Sequence, residues 1–362
     1  MYSKTTKEQL MRLTYRTQRR LRFAGLIAAL LALLFIIAWF CSVVFLERYV
    51  VFTRNGAKLD TSFSANDVIG EVARPPVGDT GITIYYNEGA DSVTLGNELT
   101  RLDGYFIDID DLQQNLGEVW NLLEPIKSST PILIDMKGGY GSFYYSSTLP
   151  DALISGSVSV ASVDEMIRDL NTRGFYTIAR ISAFRDYNSG LNHVSSGIYH
   201  VNRKGLWPDN GNCYWLDPAK ATTINWICSI VNELKNTGFD EVVLTDFRFP
   251  DTDQIYYTGD KEAALQAAAQ QIVENCGSDN FTISFQSTNA AFPLPEGRCR
   301  LYMENISATS VGAMASQFTG EDPELRLVFI AETNDTRYNS YGIFRPIAAS
   351  TVLEAQKSSM GK

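Results

Sequence analysis

The chain has 362 residues, with 31 Lys and Arg against 41 Asp and Glu, for a formal net charge of −10. That length suits one large domain plus an appendage, and the acidic balance argues against nucleic acid as a partner. Only two histidines, His193 and His200, are present and the cysteines lack zinc spacing, so neither a metal nor another cofactor is expected.

The charge is uneven. The first 22 residues carry Lys4, Lys7, Arg12, Arg16, Arg19, Arg20 and Arg22 against Glu8, which leaves +6 on this tail and −16 on the rest. Residues 23–46 contain no charge. As a helix this run would be about 36 Å long at ~1.5 Å per residue, enough to cross a bilayer. No small-x-small cleavage pattern follows it, so the sequence predicts a retained signal-anchor. The basic tail 1–22 then stays in the cytoplasm, and the acidic body lies outside the cell membrane. In that compartment Cys213, Cys228, Cys276 and Cys299 can form disulfides, while Cys41 lies inside the span. Residues 47–88 read as a stalk, broken by Arg74-Pro75-Pro76.

From residue 89 to about 356 strands and helices alternate, with a short tail at 357–362. Gly104-Tyr105-Phe106-Ile107 is the first strand, and Leu112, Leu116, Val119 and Leu123 then repeat at helical spacing. Ile132-Leu133-Ile134-Asp135-Met136-Lys137 is the second strand, ending in a turn at Gly138, Gly139 and Gly141. Ser162-Val163-Asp164-Glu165 has a capping-box pattern, and Gly174 ends the helix it opens. The third strand runs through Ile178, Arg180 and Ile181. A long irregular loop follows, rich in aromatics, to about Lys220. Asp217-Pro218 is expected to cap the next helix, which Gly238 stops.

Val242-Val243-Leu244 is a short β-branched strand, and Asp246 and Arg248 stand at its C-terminal end before Pro250. An alanine-rich helix spans 261–275. Further strands are centred on Ile283, Tyr302 and Val328, with an eighth near Phe344. Eight βα-like units over about 250 residues predict a (β/α)8 TIM-type barrel. Its second half is irregular, because little room follows Glu304 and Glu332. An open doubly wound sheet is the alternative.

Asp135-Met136-Lys137, Phe184-Arg185-Asp186, Trp215-Leu216-Asp217-Pro218 and Asp246-Phe247-Arg248-Phe249-Pro250 occur in that order. Together they resemble a bacterial family of extracytoplasmic barrels described as glycoside hydrolases. The resemblance implies a glycosidase-type TIM barrel with Asp246 at the tip of strand four. The chain departs from the family pattern where Gly138 and Gly139 replace acids, and again at Phe285, Gln286 and Ser287.

Glycoside cleavage needs two carboxyl groups flanking one bond. Asp246 is the first candidate. Glu332, ending strand seven, is preferred for the second, with Glu304 at strand six as its rival. Strand alternation puts Asp135 and Lys137 on one face, where they are expected to hold sugar hydroxyls or to steady Asp246. Arg180 and Arg248 are further polar candidates, and Trp207, Tyr214 and Trp215 are candidates for stacking on sugar rings. Cys276 and Cys299 precede neighbouring strands, which suggests a disulfide. The sequence thus points to a membrane-anchored hydrolase acting on cell-wall or extracellular polysaccharide. A non-catalytic glycan-binding barrel and an envelope scaffold are the alternatives.

Overall fold

Eight short apolar runs become eight parallel strands: β1 (Asp103–Ile107), β2 (Ile132–Lys137), β3 (Thr177–Ser182), β4 (Glu241–Thr245), β5 (Thr282–Gln286), β6 (Leu301–Glu304), β7 (Leu327–Ile330) and β8 (Gly342–Pro346). Each pairs in parallel with its neighbours in sequence, and β8 pairs with β1 from Ile343↔Asp103 to Pro346↔Phe106. The sheet is therefore closed, which makes it a (β/α)8 barrel and rules out the open doubly wound alternative. The computed structural model of the chain describes residues 31–33, 50–53, 56–59 and 99–347.

Alternation along each strand sorts the side chains into two cores. Leu133, Ile178, Val243, Tyr302, Val328 and Phe344 fill the barrel interior. Ile134, Ala179, Val242, Leu244, Ile283 and Phe329 face the surrounding helices. Those helices are α1 (Ile109–Gln114), α2 (Leu116–Leu123), α3 (Val160–Thr172), α4 (Ala221–Thr237) and α5 (Lys261–Cys276). The expected helix through Leu112 and Leu123 is two helices hinged at Asn115. Gly238 ends α4 at φ +103°, a conformation that costs other residues dearly.

The second half is irregular as expected. No helix follows β5, and β6 is followed by Val311–Gln317 and Pro323–Arg326. Only the 3-10 turn Thr336–Tyr338 separates β7 from β8.

At the N-terminal end the barrel is closed by a buried ionic network. Glu241, fully buried, accepts from the Arg300 guanidinium, Tyr176 Oη at 2.9 Å, Tyr302 Oη at 3.0 Å and Ser284 Oγ at 2.5 Å. Burial, then the Glu241 charge, raises the Tyr302 phenol well above its ordinary value.

Several expectations are corrected. Helix α3 starts two residues before Ser162, with Ser159 at its N-cap, because Val160 and Ala161 are buried with the rest of that face. Asp217 does not cap α4; its Oδ1 accepts from the Ala219 amide at 3.0 Å, and Lys220 takes the cap position. Cys276 and Cys299 are free buried thiols, not a disulfide. The Cys276 thiol turns away to the Cys228 carbonyl on α4, 3.9 Å distant. Burial pushes the Cys299 thiol up to about 12. Within the segment 47–88, expected to be a stalk, Val50–Thr53 pairs antiparallel with Gly56–Leu59. The membrane span expected at 23–46 lies outside the described residues apart from the helical 31–33, and among the described residues no helix is long and apolar enough to cross a membrane.

Candidate active site

The C-terminal strand ends form the opposite rim, and the loops rising from β2, β3 and β4 build it up. The long loop after β3 is not shapeless. Tyr199–His200 pairs with Ile255–Tyr256 from the loop after β4, and Pro208 bridges Tyr214. Arg185 and Asp209 lock its base, with Nε to Oδ2 at 2.6 Å. Burial pushes the Asp209 carboxyl up, but Arg185, the Cys213 amide and the Trp215 indole outweigh it and hold the group at about 2.

Asp246 stands at the tip of β4, only partly buried. Its φ is +50°, rare for a residue with a side chain. Phe247 explains the turn: its ring lies 4.6 Å from that of Phe184 and 4.8 Å from that of Phe285, so the chain twists to sink it. The Asp246 carboxylate is left at the rim, where Oδ2 accepts from Ser182 Oγ at 2.7 Å. Among the described residues it pairs with neither Arg180 nor Arg248.

A second polar group spans β2, β3, β5 and β6. Arg180 forks onto Asp135, Nε to Oδ1 at 2.6 Å and Nη2 to Oδ2 at 3.2 Å. Its Nη1 reaches Glu304 Oε2 at 3.2 Å, and Gln286 donates to the same oxygen at 2.9 Å. The guanidinium carbon sits 4.3 Å from the centre of the Phe106 ring. Burial raises the Asp135 carboxyl above its usual range, with Arg180 pulling the other way. At the neighbouring rim, burial and Asp108 push Asp111 up to about 6.

Lys137 is not in this group. The register between β2 and β3 shifts between Asp135 and Lys137, so Asp135 pairs with Arg180 and Lys137 with Ile181. Arg180 and Ile181 point to opposite faces. The bulge therefore turns Lys137 outward, where Nζ meets Asp186 Oδ2 and the Ser182 carbonyl, each at 2.9 Å. Lys137 touches Asp246 only through the Ser182 residue. The glycines after β2 make room for this packing. A Cβ on Gly138 would fall 2.2 Å from Tyr144 Oη, and one on Gly141, at φ +78°, 2.3 Å from Asp186 Oδ1.

The other candidates divide. Trp215 is 2 % exposed; its indole donates to Asp209 and its ring lies 4.9 Å beneath the exposed Arg248 guanidinium. It supports the loop and has no free face for a sugar. Tyr214 is partly buried and stacks on Tyr187 at 5.4 Å, while Trp207 is half-buried against the outer core. Glu332 is exposed two residues beyond β7, with no hydrogen bond given to it among the described residues. Sequence reasoning overlooked Gln286, Ser182 and Asp209. Gln286 had stood out only as a missing acid.

Residues 112–277 match the model of a family described as a putative glycosyl hydrolase domain. Over this segment the chain is similar to that family. The glycosyl hydrolase match covers under half of the chain, from α1 to the end of α5, and so includes β2, β3, β4 and Asp246. Among solved structures, a hypothetical protein from Ruminiclostridium thermocellum is 20 % identical, with a TM-score of 0.43 over 50 % of this chain and 96 % of that one. Alpha-galactosidases from Lactobacillus brevis (9 % identity, TM-score 0.49) and Geobacillus stearothermophilus (12 %, 0.48) are covered over 40 % and 42 % of their lengths, by 73 % and 72 % of this chain. The chain thus spans about two fifths of those two enzymes. Curated proteins give no match.

Proposed function

We propose that the glycoside hydrolase-like barrel cleaves polysaccharide of the cell wall or extracellular space, held at the cell surface by the uncharged run 23–46. The reading is carried by two carboxylates on one rim, Asp246 on β4 and Glu304 on β6. Only β5 lies between their strands, so the strand axes are about 10 Å apart at ~4.8 Å per strand. Side chains on such strands can reach the separations at which paired carboxyl groups cut glycosidic bonds, about 5–9.5 Å.

The two environments suit different tasks. Arg180 and Gln286 both donate to Glu304 Oε2. They fix the orientation of the carboxyl group and leave Oε1 for a sugar carbon or a water. Glu304 is therefore assigned as nucleophile or base. Asp246 receives one neutral hydroxyl from Ser182, and among the described residues no cation forms an ion pair with it, the Arg185 charge acting only from a longer distance. It is assigned as the acid that protonates the leaving oxygen. Arg180, itself held by Asp135, positions Glu304. This favours Glu304 over Glu332 as the second carboxylate, since nothing among the described residues orients Glu332.

The test is reducing-sugar release from a panel of bacterial wall and extracellular polysaccharides. Glu304→Gln is expected to lower turnover by about 10²–10⁴-fold, the range for losing a positioned acid or base. Glu332→Gln is expected to stay within about 2-fold of wild type, as for a surface change. The reverse ranking would overturn the assignment. A panel on which the wild type binds glycan but never releases sugar would make the barrel a binding module.

A further inference from the structure

A cavity of about 670 Å³ opens at the end of the barrel opposite the rim that carries Asp246. It is built around the N-terminal approaches to β5, β6 and β7. Val273, Phe281, Ile283 and Leu325 supply apolar walls, and Arg298 and Arg326 supply two cations. Its volume is that of a small-molecule site, typically ~300–1,000 Å³.

We propose that this cavity binds a small organic monoanion, a carboxylate carried on a ring-sized apolar body. The central observation is Arg298. Its Nε and Nη1 are shielded from solvent and have no hydrogen-bond partner. An ionised guanidinium withdrawn from water on that side and left unpaired is costly, and a counter-charge met from the cavity offsets the cost. Arg326 adds a second positive charge in a fixed position, because Nη1 donates to the carbonyls of Gly297 at 3.2 Å and Cys299 at 3.0 Å. No carboxylate forms an ion pair with either arginine among the described residues.

The remaining lining sets the charge and shape of the ligand. Asp279 and Asp322 also border the cavity, and both are exposed. Two cations against two rim acids leave the empty site near neutrality. A single negative charge placed between the arginines is favoured, whereas a multiply charged anion is repelled by the rim. The apolar walls reward a body that a bare inorganic ion lacks. This site is independent of the sugar-cleaving reading, since none of Asp246, Glu304 and Arg180 lines it.

The experiment is calorimetric titration of the full chain with benzoate, methyl benzoate and inorganic phosphate. Benzoate is expected to bind saturably at one site. Methyl benzoate, which lacks the charge, and phosphate, which lacks the apolar body, are each expected to bind at least ~10-fold more weakly, a tenfold step being 1.4 kcal/mol. Arg298→Met is expected to weaken benzoate by a similar factor. Val273→Trp, which fills the cavity without removing a charge, is expected to abolish binding, and it keeps the test open should the arginine variant fail to fold. Asp246→Asn is expected to leave benzoate affinity unchanged. Absence of saturable benzoate binding would overturn the proposal, as would equal affinity for methyl benzoate or phosphate, or undiminished affinity in both cavity variants.

Discussion

Arg180 is the residue on which the rim depends. It holds Asp135 with two hydrogen bonds and Glu304 with one, and its side chain is 16 % exposed. Removing it leaves the buried Asp135 without its cation, holding only the Ile109 amide at 3.2 Å. Arg180→Leu is expected to cost about 3–5 kcal/mol, the usual penalty for breaking a buried pair from one side, as read by chemical denaturation. Arg180→Lys, which keeps a charge but not the fork, is expected to cost less and still to lower turnover. A variant as stable and as active as the wild type would show that the fork is dispensable.

Asp164 makes a pH prediction at the same scale. It is 3 % exposed on α3, its Oδ1 accepts from the Ser146 amide, and its Oδ2 has no partner. Burial raises it to about 6, above an unfolded value of 3.8, partly offset by hydrogen bonds from Ser146. The neutral acid suits the site better than the carboxylate. Stability linked to it is fully present below the unfolded value and declines as pH climbs through about 6. At pH 7 the burden is roughly 2–3 kcal/mol at 1.36 kcal/mol per pH unit. Asp164→Asn is expected to raise the melting temperature relative to wild type at pH 7, with the gap closing by pH 4. A gap that is constant with pH would contradict the account.

At the scale of elements, helix ends and strand registers decide where side chains arrive. Gly238 ends α4 at φ +103°, and a Cβ there would lie 2.5 Å from Asn171 Nδ2. Gly238→Ala is therefore expected to cost at least ~1–2 kcal/mol from the left-handed backbone alone, measured by urea unfolding; a smaller loss would mean the turn relaxes. The helix stop itself was legible, because glycine after a periodic apolar run has one common cause. The strands were legible for the same kind of reason, each being a short run of β-branched or aromatic residues between turn signals. The bulge after Asp135 was not legible. Strict alternation put Asp135 and Lys137 on one face, and only pairing with β3 reveals the shift that separates them. The cysteines give the same lesson. Cys276 and Cys299 each precede a strand in sequence, yet Cys276 ends α5, and its thiol direction depends on how α5 packs on α4. Mass spectrometry of the unreduced chain is expected to find no Cys276–Cys299 crosslink, and finding one would contradict this packing.

Over the whole molecule the barrel has a plugged end and an end to which the proposed chemistry is assigned. The Glu241–Arg300 network plugs the first. Complementary charges at the starts of β4 and β6 were the signal available, but nothing in one sequence says that those starts meet inside a closed sheet. At the other end the place of Asp246 at a strand tip was legible from its position after a buried strand and before a proline. Glu304 ranked below Glu332, because both end strands and only the Arg180 contact separates them. Aromatic content pointed to Trp215 as a sugar platform, whereas its burial makes it part of the loop's foundation.

The most direct measurement compares glycan affinity with turnover in Asp246→Asn on whichever polysaccharide the wild type degrades. If Asp246 delivers the proton, affinity stays within about 3-fold while turnover falls by about 10²–10⁴-fold. Turnover near the wild-type rate in a folded Asp246→Asn protein would contradict the account.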